Sequence, residues 1–170
     1  FSVKQHQRTW ALARGLHTMA WTFDPLVARN ARFNLTKLGA TVDDYEIGFY
    51  GVMSDELNGS DRADRLVPRW RLDSERSATA AAGALPEPAE PPRDVQILGN
   101  GPDGGPAHFA SPGERWIRIP CDIVALRHSD PSQASAWREL LADWLPALFA
   151  DGWVADGVTR DGLYHMSPQS

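Results

Sequence analysis

Near the N-terminus the hydrophobic pattern changes period twice. Residues 3–14 follow a helical pattern that Gly15 can end by taking the left-handed conformation of a C-terminal cap. Residues 16–23 alternate instead, with Met19, Trp21 and Phe23 on one face and Thr18, Ala20 and Thr22 on the other, which predicts a strand. Asp24-Pro25 then reads as a helix start, since a carboxylate can cap free N–H groups and proline fits the first turn. That helix is expected to run to Leu38 and stop at Gly39, with Val27, Ala31, Asn34, Leu35 and Leu38 as its buried stripe. Residues 41–50 predict another strand, 55–64 a polar loop, and 65–72 a strand in which Pro68 removes a ladder donor and favours an edge or a bulge.

Further on, residues 77–94 read as a linker, with small residues followed by alternating proline and acid. A short strand at 95–98, a glycine-rich turn and a strand at 115–120 follow. Residues 131–150 predict a long helix opened by Asp130, Pro131 and Gln133 in the manner of a capping box. Its core stripe is Trp137, Leu141, Trp144, Leu145 and Leu148, and Pro146 should kink its last turns. A final strand is expected around 153–164, and no repeat of fixed period is present.

Composition narrows this picture. The chain has 170 residues, 42% hydrophobic and 23% charged, enough for one ordinary domain or a domain with an appendage. A net charge of −5 argues against nucleic acid or an anionic membrane as the main partner, because both reward a basic face. No apolar run reaches the roughly 20 residues needed to span a bilayer. The first residues lack a secretory pattern, so the expected location is cytoplasmic. Cys121 is the lone cysteine, and the five histidines show no ligand spacing, so no metal is expected. The seven tryptophans are scattered and read as core anchors.

The stretch WTFDPLVARNARFNLTKLGA, with GFYG at Gly48 to Gly51, resembles the GNAT superfamily of N-acetyltransferases, and within it a little-characterised bacterial branch. VKQHQRTWALARGL, residues 3–16, looks like the helix after that family's pyrophosphate loop, HTMAWTF like the next strand, and NARFNLTKLGATV like its Asn-containing helix. The pattern Trp137-Arg138, Gly152-Trp153 and Arg160-Asp161-Gly162 is similar to that branch's C-terminal extension. The resemblance implies acyl transfer from acetyl-CoA to a small-molecule amine, with the pantetheine arm against strand-edge backbone between two splayed parallel strands. It places the pyrophosphate loop, with the strands before it, ahead of residue 1, so the chain is expected to be a fragment lacking the N-terminal half of the fold. It also puts Leu35 where many relatives carry the tyrosine that protonates the thiolate.

Candidate chemistry follows from these placements. Asn34 and Asn30 lie four apart on the helix and are the candidates for cofactor contact, set against one buried and one solvated asparagine of purely structural use. Glu46 is the candidate base for an ammonium, directly or through water, set against an ordinary solvated carboxylate. Tyr45 or Tyr50 could replace the missing acid, set against packing roles. The run Gln96 to Gly101 formally matches Gln-x-x-Gly-x-Gly, but the prolines and glycines that follow offer no helix to hold a phosphate.

The expectation is therefore an α/β protein with a mixed sheet. Residues 1–76 would be the C-terminal half of a GNAT-like fold, 77–94 a linker and 95–170 a β-α-β extension. The leading function is acetyl-CoA-dependent N-acetylation. The rival is a non-catalytic binding or assembly module, with an open sheet edge covered by a homodimer or a partner chain.

Overall fold

The computed structural model describes residues 1–49 and 62–169. The chain begins with helix α1 (Ser2–Leu12), strand β1 (Thr18–Ala20) and helix α2 (Ala28–Arg32), which continues as a π-helical turn (Phe33–Lys37). Strands β2 (Thr41–Glu46) and β3 (Arg65–Arg71) and helix α3 (Glu75–Ala81) follow. The remainder is β4 (Gln96–Asn100), β5 (Pro106–Ser111), β6 (Glu114–Arg118), α4 (Ile123–Ser129), α5 (Pro131–Ala150), β7 (Trp153–Val158) and β8 (Leu163–Pro168). Tyr50, Gly51 and most of the expected 55–64 loop lie outside the described residues.

The fold is mixed α/β. Among the described residues the strands form one open eight-stranded sheet in the order β1-β3-β2-β7-β8-β6-β5-β4. Every registered strand pair is antiparallel, where a mixed sheet was expected. The C-terminal part is richer than β-α-β: a three-stranded meander, two helices and a hairpin. The predicted final strand at 153–164 is the first half of that hairpin, turned at Gly162, whose φ of 81° suits glycine. Among the described residues no helix is long and apolar enough to cross a membrane.

Three local expectations are corrected. Asp24 does not cap a helix: its Oδ1 accepts the Leu26 N–H at 2.9 Å in an Asx turn, and α2 begins only at Ala28. The predicted 77–94 linker opens inside α3, which the Ala-rich run favours and Ser74 caps by accepting the Ser77 N–H. Pro68 sits in an interior strand, between β1 and β2, and the irregularity it demands falls on β2, which bulges between Val42 and Tyr45.

The two parts of the sheet meet at β2 and β7 through a single registered pair, Val42 with Ala155. Past that pair, side chains replace the ladder. Thr36 Oγ1 donates to the Val158 carbonyl and accepts the Val158 N–H, each at 3.0 Å. Arg32 Nη1 donates to the same carbonyl at 2.7 Å, and Arg76 Nη2 donates to the Asp156 carbonyl. Buried backbone groups must be paired, and the π-helical turn brings Thr36 to that work.

The main core joins Leu35, Val42 and Leu66 to Trp137, Leu141 and Leu145 of α5 and to Tyr164 and Met166 of β8. A smaller cluster under α1 gathers Ala11, Leu38, Ala40, Trp70 and Leu72. The Gly99-Asn100-Gly101 run has a packing explanation. A Cβ on Gly101 would lie 2.3 Å from the Trp137 ring, and one on Gly99 2.8 Å from the Trp144 ring. These glycines admit the indoles of α5. Gly101→Ala is expected to destabilise the fold by about 1–3 kcal/mol through overpacking, read as a lower urea midpoint at unchanged slope.

Candidate functional site

The sequence candidates separate by face and burial. Asn34 is 4% exposed on the π-helical turn, whereas Asn30 is exposed on α2. Tyr45 and Glu46 are neighbours on β2, so their side chains leave opposite faces of the sheet. Tyr45 packs against the main core, and Glu46 is exposed. Among the described residues no hydrogen bond or ion pair joins any two of the four side chains. Leu35, at the place where the resemblance expects an acid, is fully buried in the main core.

Tyr45 belongs to a charged network between β2 and α5 that the sequence did not reveal. Its hydroxyl donates to Asp64 Oδ2 at 2.9 Å, and burial, then the Asp64 carboxylate, push its pKa far above the usual phenol range. Asp64 is itself buried. Desolvation raises its carboxyl, but Arg62, the Gly48 N–H and Tyr45 outweigh that and hold it below the usual range. Arg62 reaches on to Glu139 of α5 at 3.0 Å. Alongside, Asp24 Oδ2 accepts Arg127 Nη2 at 2.8 Å and Arg138 Nη2 at 3.1 Å. Burial raises the Asp24 carboxyl, and Arg138 with Arg127 more than reverse it. Tyr164 closes the group by donating to the Pro25 carbonyl at 2.7 Å. With its hydroxyl held by a carboxylate and its pKa raised, Tyr45 is a poor proton donor to a thiolate.

A second cluster lies on the side of the sheet away from α5. His165 Nδ1 is 2.6 Å from Asp156 Oδ1, and its Nε2 is 3.1 Å from Glu114 Oε1. Ser167 Oγ donates to Asp156 Oδ2 at 2.8 Å. Burial lowers the imidazole, but Asp156 and then Glu114 outweigh it, so its pKa is raised. Both ring nitrogens face acceptors, the arrangement of a doubly protonated imidazolium. Among the described residues no group of three or more His, Cys, Asp or Glu is arranged to hold a metal ion. Beside His165 lies a cavity of about 130 Å³ lined by Thr36, Arg76, Glu87, Pro88 and Asp156. Sequence spacing could not find this cluster, because strand pairing alone brings Glu114 near His165, two residues along β6 from the Trp116–His165 pair.

Comparisons with protein-family models, with curated proteins and with solved structures find no match for this chain.

Two outcomes follow from these networks. Asp24→Asn removes the charge that Arg138, 2% exposed, faces in the interior, and is expected to cost about 3 kcal/mol in chemical denaturation. The raised His165 pKa makes its contribution to stability complete below the unfolded value near about 6.5 and lost as pH rises through the folded value. The wild-type protein should therefore lose more stability than His165→Gln as pH rises from slightly acidic to alkaline. Parallel pH profiles for the two would contradict the assignment.

Proposed function

We propose that the protein takes part in acyl-CoA-dependent N-acylation, transferring an acyl group from a CoA thioester to the amine of a small molecule. The observation that carries this reading is the outer edge of β1. The order α1, β1, α2, β2, β3, on which the GNAT resemblance rests, is present. Among the described residues β1 pairs with β3 on one side only. Its free edge offers the unpaired backbone N–H and C=O groups that a pantetheine arm requires. In this reading Asn34 and Asn30 contact acetyl-CoA, and Glu46, solvent-exposed at the end of β2, takes the ammonium proton through water. Tyr45 is the weaker choice for the proton because Asp64 holds its hydroxyl.

A second reading is favoured by that same engagement of Tyr45 and by the burial of Leu35: a non-catalytic module whose β1 edge pairs with a partner strand. Thermal denaturation with and without acetyl-CoA separates the two. Saturation at about 100 times the dissociation constant should add about 2.7 kcal/mol and raise the midpoint by several degrees. Glu46→Gln should keep that shift while lowering acyl transfer about 100-fold or more. No shift at millimolar acetyl-CoA would leave the assembly module as the surviving reading.

A further inference from the structure

The proline-rich segment that follows α3 does not hang free; it lies across the sheet near β7 and β8. Three kinds of contact hold it there. Glu87 accepts Arg32 Nη2 through both carboxylate oxygens at 2.7 and 2.6 Å, with Lys37 at 3.7 Å and Arg160 at 3.9 Å. Pro88 sits directly over Gly157, where an added Cβ would come within 2.7 Å of the proline ring. Trp116 Nε1 donates to the Ala89 carbonyl at 2.8 Å. The Trp116 ring is in turn held edge-on by His165, with ring centroids 5.6 Å apart.

A basic cluster for an acid, a glycine floor for a proline and an indole N–H for a peptide carbonyl are the parts of a recognition groove for an extended proline-rich peptide. None of them needs the segment to be covalently continuous with the sheet. The segment forms no helix or strand of its own between residues 84 and 92, and its backbone offers the groove one carbonyl through Trp116. It also fits imperfectly: burial, then the neighbouring Asp161 carboxylate, raise the Glu90 carboxyl. A ligand with a neutral or basic residue at that place avoids this repulsion.

We propose that this groove is a docking site for an acidic, proline-rich segment of a partner protein, with residues 86–89, Pro-Glu-Pro-Ala, occupying it in cis as a built-in competitor. Tethering gives the cis segment an effective concentration in the millimolar range, so a partner must match its contacts and displace it.

The test uses the whole chain with residues 85–91 replaced by Gly and Ser, and a labelled peptide of sequence LPEPAEPP, residues 85–92. Fluorescence anisotropy should show binding to the replaced chain at least about tenfold tighter than to wild type, whose groove is filled. Binding should fall at least about tenfold for a Glu87→Lys peptide, and again for Trp116→Phe in the replaced chain. A folded replaced chain that ignores the peptide overturns the proposal, as does binding indifferent to both substitutions. Should the replaced chain fail to fold, Glu87→Gln with Pro88→Ala serves in its place under the same criteria. If that chain fails too, the segment is part of the core rather than an occupant, and the proposal falls.

Discussion

The fold depends on how β7 has its backbone satisfied where β2 leaves it. Only Val42 and Ala155 pair across the two strands. The next buried groups of β7, the Val158 N–H and carbonyl and the Asp156 carbonyl, are taken by Thr36, Arg32 and Arg76. An unpaired buried backbone group costs about 1–3 kcal/mol, so these contacts decide whether one sheet or two can form. The π-helical turn is the local consequence, because it stands where Thr36 meets Val158.

The same join positions both polar clusters. On the α5 side, the Asx turn at Asp24 meets Arg127 of α4 and Arg138 of α5, partners from distant parts of the chain, while Asp64 is balanced by the nearby Arg62. Arg32 links the β2–β7 join directly to the proline-rich segment. One of its terminal nitrogens serves the Val158 carbonyl and the other holds Glu87 of the proline-rich segment. Release of that segment would remove one partner of Arg32 and leave the other in place.

What could be read from sequence was local. Gly15 and Gly39 end their helices with φ of 72° and 75°, and Asp130 Oδ1 accepts the Gln133 N–H, all as the short-range pattern requires. Asp24 misled because its carboxylate is claimed by Arg127 and Arg138, 103 and 114 positions away, which no capping rule registers. β5 was hidden by small and polar residues that carry little alternation, whereas β8 was merged with β7 because the turn at Gly162 went unseparated from the strand before it. Among the candidate residues, Asn34 lies buried as its place in the stripe implied, and Tyr45 packs rather than standing free. The His165 cluster required the β6–β8 register before it existed at all.

Hydrogen exchange in rising denaturant, followed strand by strand, tests the central claim most directly. If side chains suture β2 to β7 into one sheet, the slow amides of β2 and β3 and those of β6, β7 and β8 open together with a common free energy. Thr36→Val should then lower that free energy for both sets alike. Two sets that open independently, with Thr36→Val altering only one, would contradict it.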